Sequence, residues 1–316
     1  MSFFRYFVLL AIVLNIVSSC NQKDKKEISA DTKVDSLQLS QERGKYLVTN
    51  VAVCIDCHST RNMNVFSGPV IPGSEGKGGE RFGPELGLPG EVYAKNITPA
   101  ALKDWTDAEI IRALTEGINK SGDTLFPLMP YMAYSRLPKQ DVLDIVAYIR
   151  TLAPIENSVP PRKLFIPVSA AVPPLPPVDL DKNPVPDPSD PVKYGSYLFT
   201  TAACSDCHTP REKGAPDFTR LVAGGNKFSY EGFTVVSPNI TPDSSTGIGS
   251  WSEEMFLQKF KQSAERAAKG EIAGKANSVM PWSFYAGMKE SDLKAIYAFL
   301  RSIKPINNKI EKWPKS

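Results

Sequence analysis

Two copies of the five-residue motif C-x-x-C-H account for both histidines of this 316-residue chain and for all of its five cysteines except Cys20. The copies are Cys54-Ile55-Asp56-Cys57-His58 and Cys204-Ser205-Asp206-Cys207-His208. C-x-x-C-H is the pattern to which c-type haem is attached. One helical turn places both thiols along one edge of the porphyrin, and the adjacent imidazole becomes the proximal ligand of the iron. The spacing therefore predicts two covalently bound haem c groups.

A C-x-x-C pair also occurs in thioredoxin-like dithiols and as half of a four-cysteine zinc site. Neither of these sites requires a histidine directly after the second cysteine. Neither explains why the rest of the chain contains no histidine. The two complete motifs therefore favour haem over dithiol or zinc chemistry.

The sequence around the motifs repeats as well. The matching segments are residues 44–47 with 195–198, 96–99 with 239–242, 129–131 with 280–282, and 141–155 with 292–306. A repeat of this length is a whole domain rather than a solenoid unit. We therefore predict two tandem domains, residues 41–156 (the first repeat) and 192–316 (the second repeat).

Further repeated side chains lie close to the predicted haem sites. Asn96 and Asn239 belong to the repeated Asn-Ile-Thr-Pro segment and are expected to form a turn or helix cap near the haem edge. Arg61 and Arg211 follow the motifs at the same distance. They are either partners of the haem propionates or solvated surface residues.

The second axial ligand of each iron must come from another residue type, because both histidines are used as proximal ligands. The thioether of methionine is the common ligand that remains. The repeat selects Met129 and Met280, each of which precedes a proline and an aromatic residue. Met132 and Met288 are the rivals, but neither recurs in the other repeat, so we expect them to be packing residues.

The elements that must position these residues are predicted to be mainly α-helical. Residues 41–53 are expected to lead into the first motif as a helix. Thr106 and Glu109 form a capping box for a helix that ends near Gly117. Pro138 starts a helix with apolar residues at three- and four-residue spacing, and residues 293–300 show the same stripe.

The N-terminal residues indicate export. Residues 3–17 form an apolar run that has the length of a signal-peptide core and is short for a membrane span. Small residues before Cys20 are typical of a bacterial lipobox, which predicts a signal peptide over 1–19 and lipidation of Cys20. An ordinary cleaved signal peptide is the alternative. The polar residues 20–40 are expected to be a flexible tether.

Export agrees with the haem motifs, because bacteria attach c-type haem outside the cytoplasmic membrane. We therefore expect the protein in the bacterial cell envelope, with a lipid anchor in the membrane. Its folded domains would lie outside the cytoplasm, on the periplasmic side.

A proline-rich segment, residues 157–191, separates the two repeats. Proline favours extended structure, so this segment is predicted to be a linker. It is either a spacer or a strap that lies along the domains. The apolar residues Leu164, Phe165, Ile166 and Val168 favour the second alternative.

The charge of the chain says little about its partners. It has 37 Lys and Arg residues against 34 Asp and Glu residues. This near balance indicates no basic face for nucleic acid. Nucleic acid is therefore not an expected partner.

The sequence resembles the multihaem class I cytochrome c family, the electron-transfer subunits of membrane-associated alcohol, aldehyde and sugar-acid dehydrogenases. The resemblance rests on the two C-x-x-C-H motifs, residues 239–242 followed by Gly-Ile-Gly at 247–249, and the Met-Pro-aromatic segments. It implies two tandem class I cytochrome c-like helical domains joined by the proline-rich linker. The chain differs from triheme members because it has two motifs, and it lacks Gly-Ile-Gly before Trp105.

The resemblance implies a dihaem c-type cytochrome that carries single electrons from a dehydrogenase donor to an oxidase or cytochrome acceptor. His/Met ligation at both haems leaves no open coordination site, so we expect a carrier or an electron-transfer subunit and no catalytic residues. The alternative is a dihaem enzyme of the peroxidase or thiosulfate-oxidising type. Such an enzyme needs an open site or a distal His, Cys or Lys, and only lysine is left for that role. A third interpretation is a domain that assembles or reports within a larger complex.

Overall fold

The computed structural model describes residues 30–172, 175–212 and 214–314, and its regular structure is mostly α-helical, as predicted. In chain order the helices are α1 (Ala30–Tyr46), α2 (Cys54–Cys57), α3 (Pro99–Leu102), α4 (Asp107–Glu116), α5 (Tyr131–Tyr134), α6 (Lys139–Ile149), α7 (Val168–Ala171), α8 (Pro191–Thr201), α9 (Cys204–His208), α10 (Glu253–Ala268), α11 (Trp282–Tyr285) and α12 (Glu290–Ser302). A π-helical turn, Leu47–Val51, continues α1 towards α2.

Short antiparallel strands, which the sequence patterns did not predict, complete the structure. They are β1 (Arg81–Phe82), β2 (Gly90–Tyr93), β3 (Lys163–Leu164), β4 (Arg211–Glu212), β5 (Ala215–Pro216), β6 (Lys227–Tyr230) and β7 (Phe233–Val236). The first three form one sheet in the order β1-β2-β3, and the others form two hairpins. Because β3 belongs to residues 157–191, the proline-rich segment adds a strand to the first repeat.

The order of the main helices is the same in the two repeats. Helices α1, α2, α4, α5 and α6 of the first repeat correspond to α8, α9, α10, α11 and α12 of the second. In each repeat the first helix crosses the last at a glycine. A Cβ atom on Gly44 would lie 1.8 Å from the carbonyl oxygen of Asp144, and one on Gly195 would lie 1.9 Å from that of Ala295. Only glycine allows this close approach.

Local sequence signals explain the ends of several helices. Thr106 and Glu109 form the predicted capping box of α4, and Gly117 ends this helix in the left-handed conformation with φ 69°. Pro138 is the residue before α6 rather than part of its first turn. Helix α1 begins at Ala30, so residues 30–40 of the predicted tether are helical. This stretch contains no glycine or proline that would interrupt a helix.

Residues 38–316 form one compact unit. A continuous apolar core within it includes Leu47 and Ile145 of the first repeat together with Leu198 and Leu293 of the second. These side chains are almost completely buried. Burial of a leucine-sized side chain contributes roughly 2 kcal/mol, so contacts across the repeats are part of what stabilises the unit.

The proline-rich segment makes specific contacts with the first repeat. Val178 donates its backbone N–H to Glu116, and the Asn183 amide donates to the carbonyl oxygens of Ser135 and Leu137. These bonds agree with a segment that lies along a domain. Of its predicted apolar contacts, Val168 is buried, whereas Phe165 is 79% exposed.

The predicted signal peptide and the lipidation site Cys20 lie outside the described residues. Among the helices that are described, none combines the length and the apolar character required to cross a bilayer.

Candidate haem sites

Each C-x-x-C-H motif begins directly after a residue in the left-handed conformation. These residues are Val53, with φ 45°, and Ala203, with φ 51°. Left-handed backbone is rare for a non-glycine residue, above all for a β-branched one, and such strain is concentrated at functional sites. The turn redirects the chain, so that α2 and α9 start in a new direction. One helical turn then separates Cys54 from Cys57 and Cys204 from Cys207.

Both motif histidines have one ring nitrogen bonded to the backbone. Nδ1 of His58 lies 2.6 Å from the carbonyl oxygen of Lys95, and Nδ1 of His208 lies 2.9 Å from that of Pro238. Because a carbonyl oxygen only accepts, Nδ1 carries the proton and Nε2 keeps its lone pair for a metal. Burial lowers the pKa of both histidines, which favours the neutral imidazole that ligates iron. The residues fit a haem iron at Nε2.

The repeated Asn-Ile-Thr-Pro segment fixes the two carbonyl groups that accept from the histidines. Oδ1 of Asn239 accepts from the backbone N–H of Thr241 at 2.9 Å, and its Nδ2 donates to Ile306 at 2.7 Å. Asn96 makes the same pair of bonds in the first repeat, to Thr98 and to Ile155. The predicted turn is therefore present. Through its Nδ2, each asparagine also attaches this turn to the segment that follows the last helix of its repeat.

The two predicted methionine ligands lie at the same point of their repeats. The carbonyl oxygen of Met129 accepts from the N–H of Tyr131, and that of Met280 accepts from Trp282, both at 2.8 Å. Both methionines are partly buried against the core. The rival Met288 is a core residue, whereas Met132 is 45% exposed rather than packed. The ligand roles of Met129 and Met280 stay predictions.

One buried tyrosine in each repeat connects the methionine segment to the residues before the haem motif. Sequence reasoning missed both tyrosines. The hydroxyl of Tyr134 donates to the carbonyl oxygen of Ala52 at 3.1 Å, and that of Tyr285 donates to Ala202 at 2.7 Å. Burial raises the pKa of both hydroxyls, so they stay protonated donors. Their recurrence in the repeat is the signal that would have identified them.

The motif cysteines are not activated thiols. Burial raises the pKa of the Cys54 and Cys204 thiols to about 12, whereas reactive dithiols have a lowered pKa. Within the described ranges, no three or more His, Cys, Asp or Glu side chains come together as a metal-binding group. The raised pKa of these thiols argues against a reactive dithiol.

The motif helices of the two repeats lie within electrostatic range of each other. The pKa of Cys57 is raised first by burial and to a lesser degree by Asp56 and by Cys207 of the second repeat. Tyr134 of the first repeat is affected by Asp206, and Tyr285 of the second is affected by Asp56, in each case after burial. Cys54 and Cys204 also pack against the same apolar core, so both attachment helices adjoin the core that the two repeats share.

Arg61 and Arg211 have different surroundings despite their matching positions. Arg61 is buried and forms an ion pair with Asp56, at 3.2 Å between Nε and Oδ1. It also donates to the carbonyl oxygens of Ser67 and Gly68. Arg211 is exposed and donates only to Gly214 within the described residues. Arg211 thus lies at the surface and Arg61 in the interior, and a role of either residue at a haem propionate stays a prediction.

Several known proteins are similar to this chain in sequence. Residues 192–304 match the family model described as Cytochrome c. The cytochrome c subunit of a quinone alcohol dehydrogenase from Gluconacetobacter polyoxogenes is 29% identical over 280 residues, which cover 84% of this chain and 56% of that protein. The fructose dehydrogenase cytochrome subunit of Gluconobacter japonicus is 31% identical over 284 residues, covering 84% and 52%.

A diheme cytochrome c-type protein from Cereibacter sphaeroides is 26% identical over 272 residues, which cover 80% of this chain and 82% of that protein. The motif sites fit a protein with covalently bound haem c. Residues 192–304 form a cytochrome c domain, and the chain is similar to the cytochrome c subunits of bacterial dehydrogenases. It spans about half the length of those dehydrogenase subunits.

Proposed function

We propose that this protein is a dihaem c-type cytochrome that carries single electrons from a dehydrogenase donor to a respiratory acceptor. The observation that carries the proposal is the paired histidine geometry. Both His58 and His208 donate Nδ1–H to a backbone carbonyl oxygen, which leaves Nε2 free for iron. Each histidine directly follows a C-x-x-C pair on one helical turn.

The residues of the chain would hold the two groups in the same way in each repeat. Cys54 and Cys57, or Cys204 and Cys207, provide thioether links. His58 with Met129, and His208 with Met280, provide the axial ligands. Bound haem c supplies one-electron exchange at its iron, and a methionine ligand raises the reduction potential. With both axial positions taken by the protein, no position is left for a substrate, so we assign no catalytic residue.

Electron transfer between the two sites is part of the proposal. It requires the haem edges to lie close together. Cys54 and Cys204 pack against the same apolar core, which supports a short separation of the attachment helices. A peroxidase or thiosulfate-oxidising enzyme would need an open coordination site or a distal His, Cys or Lys at one haem, and both histidines of the chain are already in the motifs.

The partners and the location are proposed on the same basis. The named relatives are cytochrome subunits of quinone alcohol and fructose dehydrogenases, which supports a dehydrogenase as electron donor. We propose an oxidase or another cytochrome as acceptor. We also propose cytochrome c domains at 41–156 and 192–316, joined by the linker 157–191. A lipid anchor at Cys20 would hold them at a membrane of the cell envelope, outside the cytoplasm and on the periplasmic side.

A spectroelectrochemical titration of the purified holoprotein tests the proposal. We expect two haems per chain, two one-electron transitions, and the charge-transfer band typical of Met–Fe(III) at the intensity of two haems. Met129→Leu and Met280→Leu should each remove half of that band. The matched control Met132→Leu should leave it unchanged. One haem per chain, or a high-spin haem in the unaltered protein, would overturn the proposed ligation.

A further inference from the structure

A serine of the first repeat holds the backbone of the methionine segment in the second repeat. The Ser67 hydroxyl donates to the carbonyl oxygen of Met280 at 2.6 Å and accepts from the backbone N–H of Trp282 at 3.1 Å. Ser67 is 2% exposed. Both bonds are therefore shielded from water, and an unpaired group left there would carry the full desolvation cost.

Asn277 fixes Ser67 against the second repeat. Its Oδ1 accepts from the backbone N–H of Ser67 at 2.9 Å, and its Nδ2 donates to the carbonyl oxygen of Met63 at 2.8 Å. The Asn277 side chain is itself buried, at 1% exposure. A second attachment lies beside it, because Phe66 donates its N–H to the carbonyl oxygen of Glu271 at 2.8 Å. Residues 62–68, the Ser67 loop, are thus docked at several points.

Arg61 connects the Ser67 loop to the first haem motif. Its guanidinium donates to the carbonyl oxygen of Ser67 at 2.7 Å and pairs with Asp56 inside the first motif. Ser67 has a positive φ of 67°, a conformation that costs free energy unless the surroundings impose it. The bonds from Arg61 and Asn277 supply those surroundings. Ser67 is therefore held in place from both repeats.

The methionine segment of the first repeat is supported differently. The N–H of Met129 donates to Phe126 of its own repeat, and its carbonyl oxygen accepts from Tyr131. Its side chain packs against a small apolar cluster that contains Val168 and Val172 of the proline-rich segment. Within the described residues, no hydroxyl makes the corresponding pair of hydrogen bonds at Met129.

We infer that Ser67 is a positioning residue for Met280 as an axial ligand of the second haem, and that it acts on this haem alone. The inference rests on the proposed His/Met ligation. Ser67 holds the backbone atoms on both sides of Pro281, so the segment that carries the Met280 thioether loses freedom before it meets the iron. Removal of the hydroxyl should therefore weaken the Met280–iron bond relative to a competing ligand.

Imidazole competition in the oxidised holoprotein tests this inference. In Met129→Leu protein, the remaining Met–Fe(III) band belongs to the second haem. Here Ser67→Ala should lower the imidazole concentration that removes half of the band by about tenfold, because the methionine segment loses both of its hydrogen bonds to the Ser67 hydroxyl. Asn277→Ala should act in the same direction. In Met280→Leu protein, where the band belongs to the first haem, Ser67→Ala should leave the midpoint unchanged.

Ser74→Ala is the matched control. Ser74 is also a buried serine of the first repeat, but its hydroxyl bonds to Ile71 and Thr60, within its own loop. It should change neither midpoint. If Ser67→Ala leaves the imidazole midpoint unchanged in the Met129→Leu background, this inference is overturned and the proposed ligation is not. A shift of the same size in both backgrounds would have the same meaning. A Met–Fe(III) band that persists in the Met129→Leu/Met280→Leu double variant would overturn the proposed ligation as well.

Discussion

The hydroxyl of Tyr46 in the first repeat donates a 2.6 Å hydrogen bond to Oδ2 of Asp292 in the second. The repeat counterparts make the reciprocal bond, since Tyr197 donates to Oδ2 of Asp141 at 2.5 Å. Reciprocal contacts of this kind are the mark of an isologous, twofold interface. The two repeats of this single chain are therefore joined as the subunits of a symmetric dimer are joined.

These two bonds should contribute measurably to stability. Tyr46→Phe and Tyr197→Phe each remove a hydrogen bond to a buried carboxylate, which should lower the free energy of unfolding by about 2 kcal/mol. Urea unfolding of the holoprotein, followed by circular dichroism, measures the change. Tyr93→Phe is the control, because the Tyr93 hydroxyl bonds to Glu91 within one surface strand. Losses no greater than that of Tyr93→Phe would contradict the role of the reciprocal pair.

The helix crossings should not tolerate a side chain. Gly44→Ala and Gly195→Ala would each place a Cβ within 2 Å of a backbone carbonyl oxygen on the crossing helix, at 1.8 Å and 1.9 Å. The helices must then separate, at a cost of about 3 kcal/mol in unfolding free energy. Lys45→Ala, at the exposed neighbouring position of α1, should change it by less than about 0.5 kcal/mol. Unaltered thermal unfolding of both glycine variants would refute the close crossing.

The asparagine turns should tune the haem potentials one at a time. Asn239→Ala releases the segment that presents the Pro238 carbonyl oxygen to His208. A weaker bond at Nδ1 makes the imidazole a poorer donor to Fe(III), so we expect the second potential to rise. A tenfold change in the equilibrium corresponds to about 60 mV. Asn96→Ala should move only the other potential. Redox titration resolves the two transitions, and constant potentials in both variants would exclude this tuning.

Arg61 and Arg211 allow a comparison of matched positions. Arg61→Gln leaves the buried Asp56 carboxylate without its cation, so the variant should lose about 3 kcal/mol of unfolding free energy. Arg211→Gln removes an exposed bond to Gly214 and a longer-range attraction to Asp206, and at this exposed position it should cost less than about 0.5 kcal/mol. Denaturant midpoints of the two holoproteins provide the measurement. Equal losses of unfolding free energy would show that the buried ion pair with Asp56 stabilises the protein no more than the surface contacts of Arg211 do.

Local signals predicted much of what surrounds the motifs. The capping box at Thr106 and the left-handed end at Gly117 are both present, because these features depend only on neighbouring residues. Hairpin β6–β7 was missed, although its Glu231-Gly232 turn lies between two runs of strand-forming residues. The Ser67–Met280 contact could not have been foreseen. A single sequence contains no information about which distant residues pair.

Within the described residues, Ser67 has no counterpart at Met129, and this has a consequence for how the two proposed haem sites of one molecule can differ. In a dimer of identical subunits, symmetry gives both copies of a site the same neighbours, and their intrinsic potentials are equal. Covalent fusion removes that constraint but keeps the interface. Here the reciprocal tyrosine–aspartate bonds preserve the twofold arrangement, while one serine breaks it beside a single methionine. A change at Ser67 alters one site without an equal change at the other, which identical subunits do not allow.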